Sequence, residues 1–137
     1  MMNLNCILLV DDDMVNNYLN EKLLKSLEVC ANIRITQNGE EALLYLARHG
    51  SPYDYNYPDL IMLDYNMPKM QGNEFMELFN QINSCHRHRS RIIVLTAFLD
   101  DTAKKQLIEL GVEEFIEKPL TKEKLEEAFR KIRFETD

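Results

Sequence analysis

Five short apolar runs punctuate the chain at 6–10, 33–36, 60–63, 92–95 and 114–116, several of them rich in Ile or Val, with amphipathic segments between them. Runs of this length and composition read as strands. Phe75, Leu78, Phe79 and Ile82 recur at i, i+3, i+4, i+7, and Leu125, Ala128, Phe129 and Ile132 repeat that spacing. Each set predicts a helix with one buried stripe. Asn38 and Glu41 have the spacing of an N-terminal capping pair ahead of Ala42, Leu43, Leu46 and Ala47, and Gly50 is placed to end that helix. Segments 15–27, with Leu19, Leu23 and Leu27, and 102–110, with Ala103, Leu107 and Leu110, supply two more helices; Gly111 closes the latter, and Thr121 can cap the last helix of the chain.

Five strand–helix repeats imply parallel strands joined by right-handed crossovers, with helices on both faces. The expected fold class is therefore α/β, a doubly wound five-stranded parallel sheet with five helices. Ligands of such sheets collect outside the carboxyl ends of the strands, so chemistry is to be sought just after each apolar run.

Composition narrows the function classes. At 137 residues and 45% hydrophobic, the chain suits one domain, 1–137, with a core of its own. A formal charge of −7 excludes a duplex-binding face, because phosphate neutralisation needs clustered Lys and Arg, and no direct nucleic-acid partner is expected. Cys6, Cys30 and Cys85 are odd in number and lack C-x-x-C spacing, which points to reduced thiols and a cytoplasmic location. No apolar run approaches the roughly 20 residues that cross a bilayer, so no membrane insertion is expected.

The strand ends are strongly polar. The first apolar run ends in Asp11, Asp12 and Asp13, the third in Asp64, the fourth in Thr96 and Ala97, and the fifth in Lys118 before Pro119. Carboxylates gathered there would repel one another unless a cation neutralised them. A donor set made of oxygens, without His or Cys in the pattern, favours Mg²⁺ over zinc. Lys118, when protonated, can pair with Asp64 or with an added anion, and Thr96 brings a hydroxyl to the same place. A carboxylate flanked by metal, ammonium and hydroxyl is equipped to accept a phosphoryl group, and Asp64 is the best nucleophile of the set. Ala97 leaves room for that group and could offer its backbone N–H. Asp13 reads instead as a helix N-cap or first-turn residue.

The pieces "LLVDDD", "PDLIMLDYNMPKMQG", "IIVLTA" and "FIEKPL", each in order and each at a strand end, resemble the chemotaxis-regulator-like receiver domain of response regulators. The resemblance spans about Asn5 to Arg133. It implies strand order 2-1-3-4-5 and transfer of phosphate to Asp64 from a phosphohistidine on a sensor histidine kinase or histidine phosphotransfer protein. It also implies that Asp12, Asp64 and the Asn66 backbone carbonyl ligate Mg²⁺ or Mn²⁺ directly, while Asp11 acts through a bound water. Thr96 and Lys118 would bind phosphoryl oxygens, and Phe115 would turn inward as Thr96 moves. The Lys118–Pro119 bond is expected to be cis. Few residues follow the last helix, so a stand-alone receiver without a fused effector is expected. Its output would pass to a downstream protein or a homodimer through the face of the fourth helix, fifth strand and fifth helix.

Two other functions compete. Asp11-x-Asp13-x-Val15 formally fits the opening of haloacid-dehalogenase-like phosphatases, with Asp11 as nucleophile and Asp13 as acid/base. No acidic pair follows Lys118 at a later strand end, and "MLDYNMP" has no role in that chemistry. A binding module that acts without phosphorylation is the other rival; the complete set Asp11, Asp12, Asp64, Thr96 and Lys118 speaks against it. The basic stretch Cys85-His86-Arg87-His88-Arg89 lacks zinc-site spacing and reads as a solvated loop. In the long connection 51–58, Tyr53, Tyr55 and Tyr57 alternate, and packing onto the domain is the expected use.

Overall fold

The computed structural model describes residues 3–51, 54–82 and 90–132. The elements alternate throughout: β1 (Ile7–Val10), α1 (Met14–Leu27), β2 (Ile33–Thr36), α2 (Gly39–Arg48), β3 (Leu60–Asp64), α3 (Gly72–Phe79), β4 (Arg91–Thr96), α4 (Asp101–Glu109), β5 (Glu114–Glu117) and α5 (Lys122–Lys131). All strand pairs are parallel, in the order β2-β1-β3-β4-β5. This is the doubly wound arrangement expected from the alternation of apolar runs and amphipathic segments.

Because successive residues of a strand face opposite ways, each central strand feeds two cores. Leu8, Val10, Ile61, Leu63, Ile92 and Val94 meet α2, α3 and α4 on one side. On the other, Ile7, Leu9, Leu60, Met62, Ile93 and Leu95 meet residues of α1 and α5. Burial on both faces explains why β1 and β3 are continuously apolar rather than alternating.

Local chemistry sets the helix ends. Asp13, Asn38, Asp100 and Thr121 cap α1, α2, α4 and α5 by accepting backbone N–H groups of the first turn. Glu41 reciprocates by accepting from the Gln37 N–H at 3.2 Å. Gly111, with φ of 111°, turns the chain after α4 in a conformation open to glycine. Gly50 follows the His49 C-cap of α2, directly after the helix as expected, but without the positive φ that Gly111 takes.

Three stripe positions face solvent rather than the core. Leu19 is exposed because α1 buries Asn17 and Leu24, and Leu19 lies two residues, or about 200°, around the axis from Asn17. Ala47 sits one residue past buried Leu46, and Leu78 is turned out because α3 buries Met76 instead.

The connection before β3 packs onto its own domain, as expected. Tyr57 is buried in the core, whereas Tyr55 is exposed, and Tyr53 lies outside the described residues. His49 Nδ1 lies 2.7 Å from Asp54 Oδ2, the Tyr45 hydroxyl donates to the Asn56 carbonyl, and Asn32 Nδ2 donates to Asn56 Oδ1 at 2.8 Å. The basic stretch 85–89 also lies outside the described residues.

Phe75 is fully buried beneath α3 and stacks on Phe79, with ring centroids 5.9 Å apart. Phe75→Ala is therefore expected to lower stability by about 3–5 kcal/mol in urea unfolding. A loss under about 1 kcal/mol would show that the ring is not packed as described.

Candidate functional site

Strand register assembles the site. Val10 pairs with Leu63, so the residues that follow, Asp11 and Asp64, emerge side by side at the carboxyl edge. Asp64 pairs with Leu95 and Thr96 with Glu117, which brings Thr96 and Lys118 to the same edge. The Lys118 N–H donates to the Thr96 carbonyl at 2.8 Å, tying the ends of β4 and β5 together.

Asp11 and Asp64 are each only 3% exposed, whereas Asp12 is exposed. Ligand oxygens of all three lie within 4.8 Å of one another, the acidic group with metal-ligand spacing among the described residues. Lys118 Nζ donates to Asp64 Oδ1 at 2.7 Å, and the Asn66 N–H reaches the same oxygen at 3.3 Å. Lys118 is thus paired with Asp64, the first of the two roles its charge allows. The Lys118–Pro119 bond is cis.

Asp11 is fixed on three sides. Its N–H donates to the Thr36 carbonyl at 3.2 Å, its Oδ1 accepts the Asp13 N–H at 2.9 Å, and its backbone carbonyl accepts from Asn17 Nδ2 at 2.8 Å. Its Oδ2 is buried without a hydrogen-bond partner. Burial pushes the Asp11 carboxyl up from 3.8 to about 6; the Asp13 N–H opposes the rise, the Asp64 charge adds to it, and Lys118 draws it back. An orphaned carboxylate oxygen inside a cluster of hard oxygen donors fits a hard divalent cation such as Mg²⁺.

The remaining candidates fall around this centre. Thr96 is buried, and its hydroxyl is engaged by the next loop, donating to the Phe98 carbonyl at 3.1 Å and accepting the Phe98 N–H at 3.2 Å. Ala97 is exposed beside it. Phe115 is half-buried against the core, with Lys104 Nζ 6.0 Å from its ring centroid. Asp13 accepts the N–H groups of Val15 and Asn16 through Oδ1, so it is occupied as a helix cap. That matches the helix-cap reading of Asp13. Cys6 offers no second nucleophile, because burial pushes its thiol up to about 11.

Sequence reasoning missed Asn17. The residue lies one heptad before buried Leu24, but Asn20 and Glu21 stand between them on the same side of α1, so no apolar run marked it.

The chain has clear relatives. The family model for the response regulator receiver domain matches residues 7–130. The chain is 33% identical over 127 residues to two-component response regulator 24 of Arabidopsis thaliana, covering 93% of this chain and 83% of that one. A two-component response regulator structure from Cytophaga hutchinsonii superposes with a TM-score of 0.81 at 26% identity, over 94% of this chain and 96% of that one. The receiver domain of the sensor histidine kinase PA1611 of Pseudomonas aeruginosa, solved with a magnesium ion coordinated in its active-site cleft, gives a TM-score of 0.73 at 23% identity, over 93% and 97%.

The raised Asp11 carboxyl has a direct consequence for stability. The folded state holds this proton more tightly than the unfolded chain, so Asp11's contribution is most favourable below pH 4 and is lost as pH rises from about 4 through about 6. Asp11→Asn is expected to stabilise the cation-free protein at pH 7 by up to about 3 kcal/mol, with little difference below pH 4. Urea unfolding across that range in EDTA measures this; a variant no more stable than wild type at pH 7 would contradict it.

Proposed function

The chain belongs to the response regulator receiver family, and on that premise we propose that Asp64 is its phosphoacceptor. The supporting observation is the 2.7 Å bond from Lys118 Nζ to a buried Asp64 oxygen at the edge of the three-carboxylate cluster. A free Asp64 carboxylate oxygen attacks the phosphorus of a phosphohistidine on a sensor histidine kinase or histidine phosphotransfer protein. The P–N bond breaks, the P–O bond of an acyl phosphate forms, and the imidazole leaves. Asp12, Asp64 and the Asn66 backbone carbonyl would hold Mg²⁺ or Mn²⁺, with Asp11 acting through a bound water. Bound there, the cation neutralises charge that builds on the phosphoryl oxygens.

The chain's own residues do the rest. Lys118 exchanges Asp64 Oδ1 for a phosphoryl oxygen and remains close to both. Thr96 and the Ala97 N–H bind another oxygen. To do so the Thr96 hydroxyl leaves Phe98, whose side chain is 77% exposed, so capture of the phosphoryl group alters the loop that leads into α4. Phe115 follows inward. Two arrangements of the α4–β5–α5 face result, and phosphorylation shifts the balance between them, changing affinity for a downstream protein or a second copy of the chain. Such a module carries a signal; its phosphotransfer is self-directed and ends in hydrolysis of its own acyl phosphate.

The approach of the phosphodonor is supported by the surface beside the site. A cavity of about 290 Å³ opens next to Asp11 and Lys118, walled by Leu19 and Asn20 of α1 and by Pro119 and Leu120. Met14, Val15, Tyr18 and Leu19 form an exposed apolar patch along the same helix.

Incubation with acetyl phosphate and Mg²⁺ tests the chemistry. Wild type is expected to gain one base-labile phosphoryl adduct, visible by intact mass or as sustained phosphate release, and to form none in EDTA; Asp64→Asn gains none. Lys118→Ala is expected to react about a hundredfold more slowly, on the scale of removing one preorganised charge or donor. An adduct of equal yield on Asp64→Asn, or neither adduct nor phosphate release from wild type, would sink the reading. Before any donor is added, Mg²⁺ at a hundred times its dissociation constant is expected to stabilise wild type by about 2.7 kcal/mol. An unchanged melting curve would contradict cation binding.

A further inference from the structure

A buried polar side chain sits against the carboxylate cluster without joining it. Asn17, in the first half of α1, is buried and directs Nδ2 at the Asp11 backbone carbonyl, 2.8 Å away. Its Oδ1 is also buried and has no hydrogen-bond partner. The amide cannot be turned the other way, because that would set two carbonyl oxygens face to face.

Burying an amide with one end unsatisfied is unfavourable, and Asn is a weak helix former. A leucine at 17 would avoid both penalties. What the amide provides instead is a grip on one peptide unit. The Asp11 carbonyl belongs to the planar group that ends at the Asp12 nitrogen, so fixing it constrains ψ of Asp11 and φ of Asp12 together. The Thr36 carbonyl holds the N–H on the near side, and the Asp11 Oδ1–Asp13 N–H bond holds the far side. Asn17 supplies the third constraint and links it to the body of α1. Two carboxylates whose oxygens lie within 4.8 Å of an Asp64 oxygen hang from that one peptide.

We propose that Asn17 is a positioning residue for divalent-cation binding, orienting the Asp11 and Asp12 carboxylates through its bond to the peptide between them. It touches neither cation nor phosphoryl group. This rests on the reading of the acidic cluster given above. Groups that orient metal ligands from behind affect metal affinity by about 10–100-fold, and the effect here belongs at the lower end, because the cluster retains its charges.

Calorimetric titration of Mg²⁺ into cation-free wild type, Asn17→Leu and Asn17→Gln tests it. Asn17→Leu is expected to bind about tenfold more weakly. Asn17→Gln, which keeps an amide donor, should recover at least half of that loss on a logarithmic scale. A role confined to packing would lower the melting temperature of Asn17→Leu in EDTA but leave its Mg²⁺ affinity within twofold of wild type, and that result overturns the proposal. Should Asn17→Leu fail to fold, the wild-type side-chain amide decides. The Asn17 NH₂ resonances are expected to exchange slowly and to shift when Mg²⁺ saturates the site; fast exchange and no shift would overturn the proposal equally. Wild type that binds no Mg²⁺ would overturn the reading of the cluster itself, whereas normal wild-type binding with an indifferent Asn17→Leu overturns Asn17's role alone.

Discussion

Repulsion between Asp11 and Asp64 is the constraint to which the carboxyl edge of the sheet is fitted. Both are buried beside each other, where water screens little of their mutual field. The fold answers with the Asp13 N–H on Asp11, the Asn66 N–H on Asp64, and the Lys118 ammonium. These donors hold the groups in place without balancing them, since Asp12 adds a third carboxylate to the two that Lys118 and the backbone donors engage. The unsatisfied Asp11 Oδ2 is where that imbalance becomes visible. Carboxylates gathered in this way work against the stability of the fold, and the same residues would gain from a neutralising cation.

The Thr96 hydroxyl is already employed outside the carboxylate cluster. It is bonded twice to the Phe98 backbone, a donor and an acceptor within one residue. A hydroxyl has one proton to give, so donation to a new acceptor on the site side withdraws it from the Phe98 carbonyl. The competition is local to one residue. Phe98, the residue the hydroxyl holds, is among the most exposed large apolar side chains described.

Most of the fold was legible because both cores reward simple periodicity. The five apolar runs became the five strands with shifts of no more than one residue at their ends, and Asp64, Thr96 and Lys118 fell at one edge as strand ends must in a parallel sheet. The capping residues Asp13, Asn38 and Thr121 were readable because their chemistry is local. Leu19, Ala47 and Leu78 were not, since which side of a helix is buried depends on how it sits against its neighbours. Asn17 was hidden for the same reason: an amide on a helix gains its meaning from the carbonyl it meets, and that carbonyl is placed by the end of a strand. The Thr96–Phe98 bonds depend on the path of a loop that periodicity does not describe.

The ties between α2 and the segment before β3 lie at the amino ends of the strands, opposite the carboxylates. Tyr45 and Asn32 both hold Asn56, His49 holds Asp54, and Asp59 Oδ2 accepts the Asn5 and Cys6 N–H groups. The sheet is therefore clamped at one end like a cantilever. Whatever rearranges among the loops at the other end therefore does so against an amino edge already tied by these side chains.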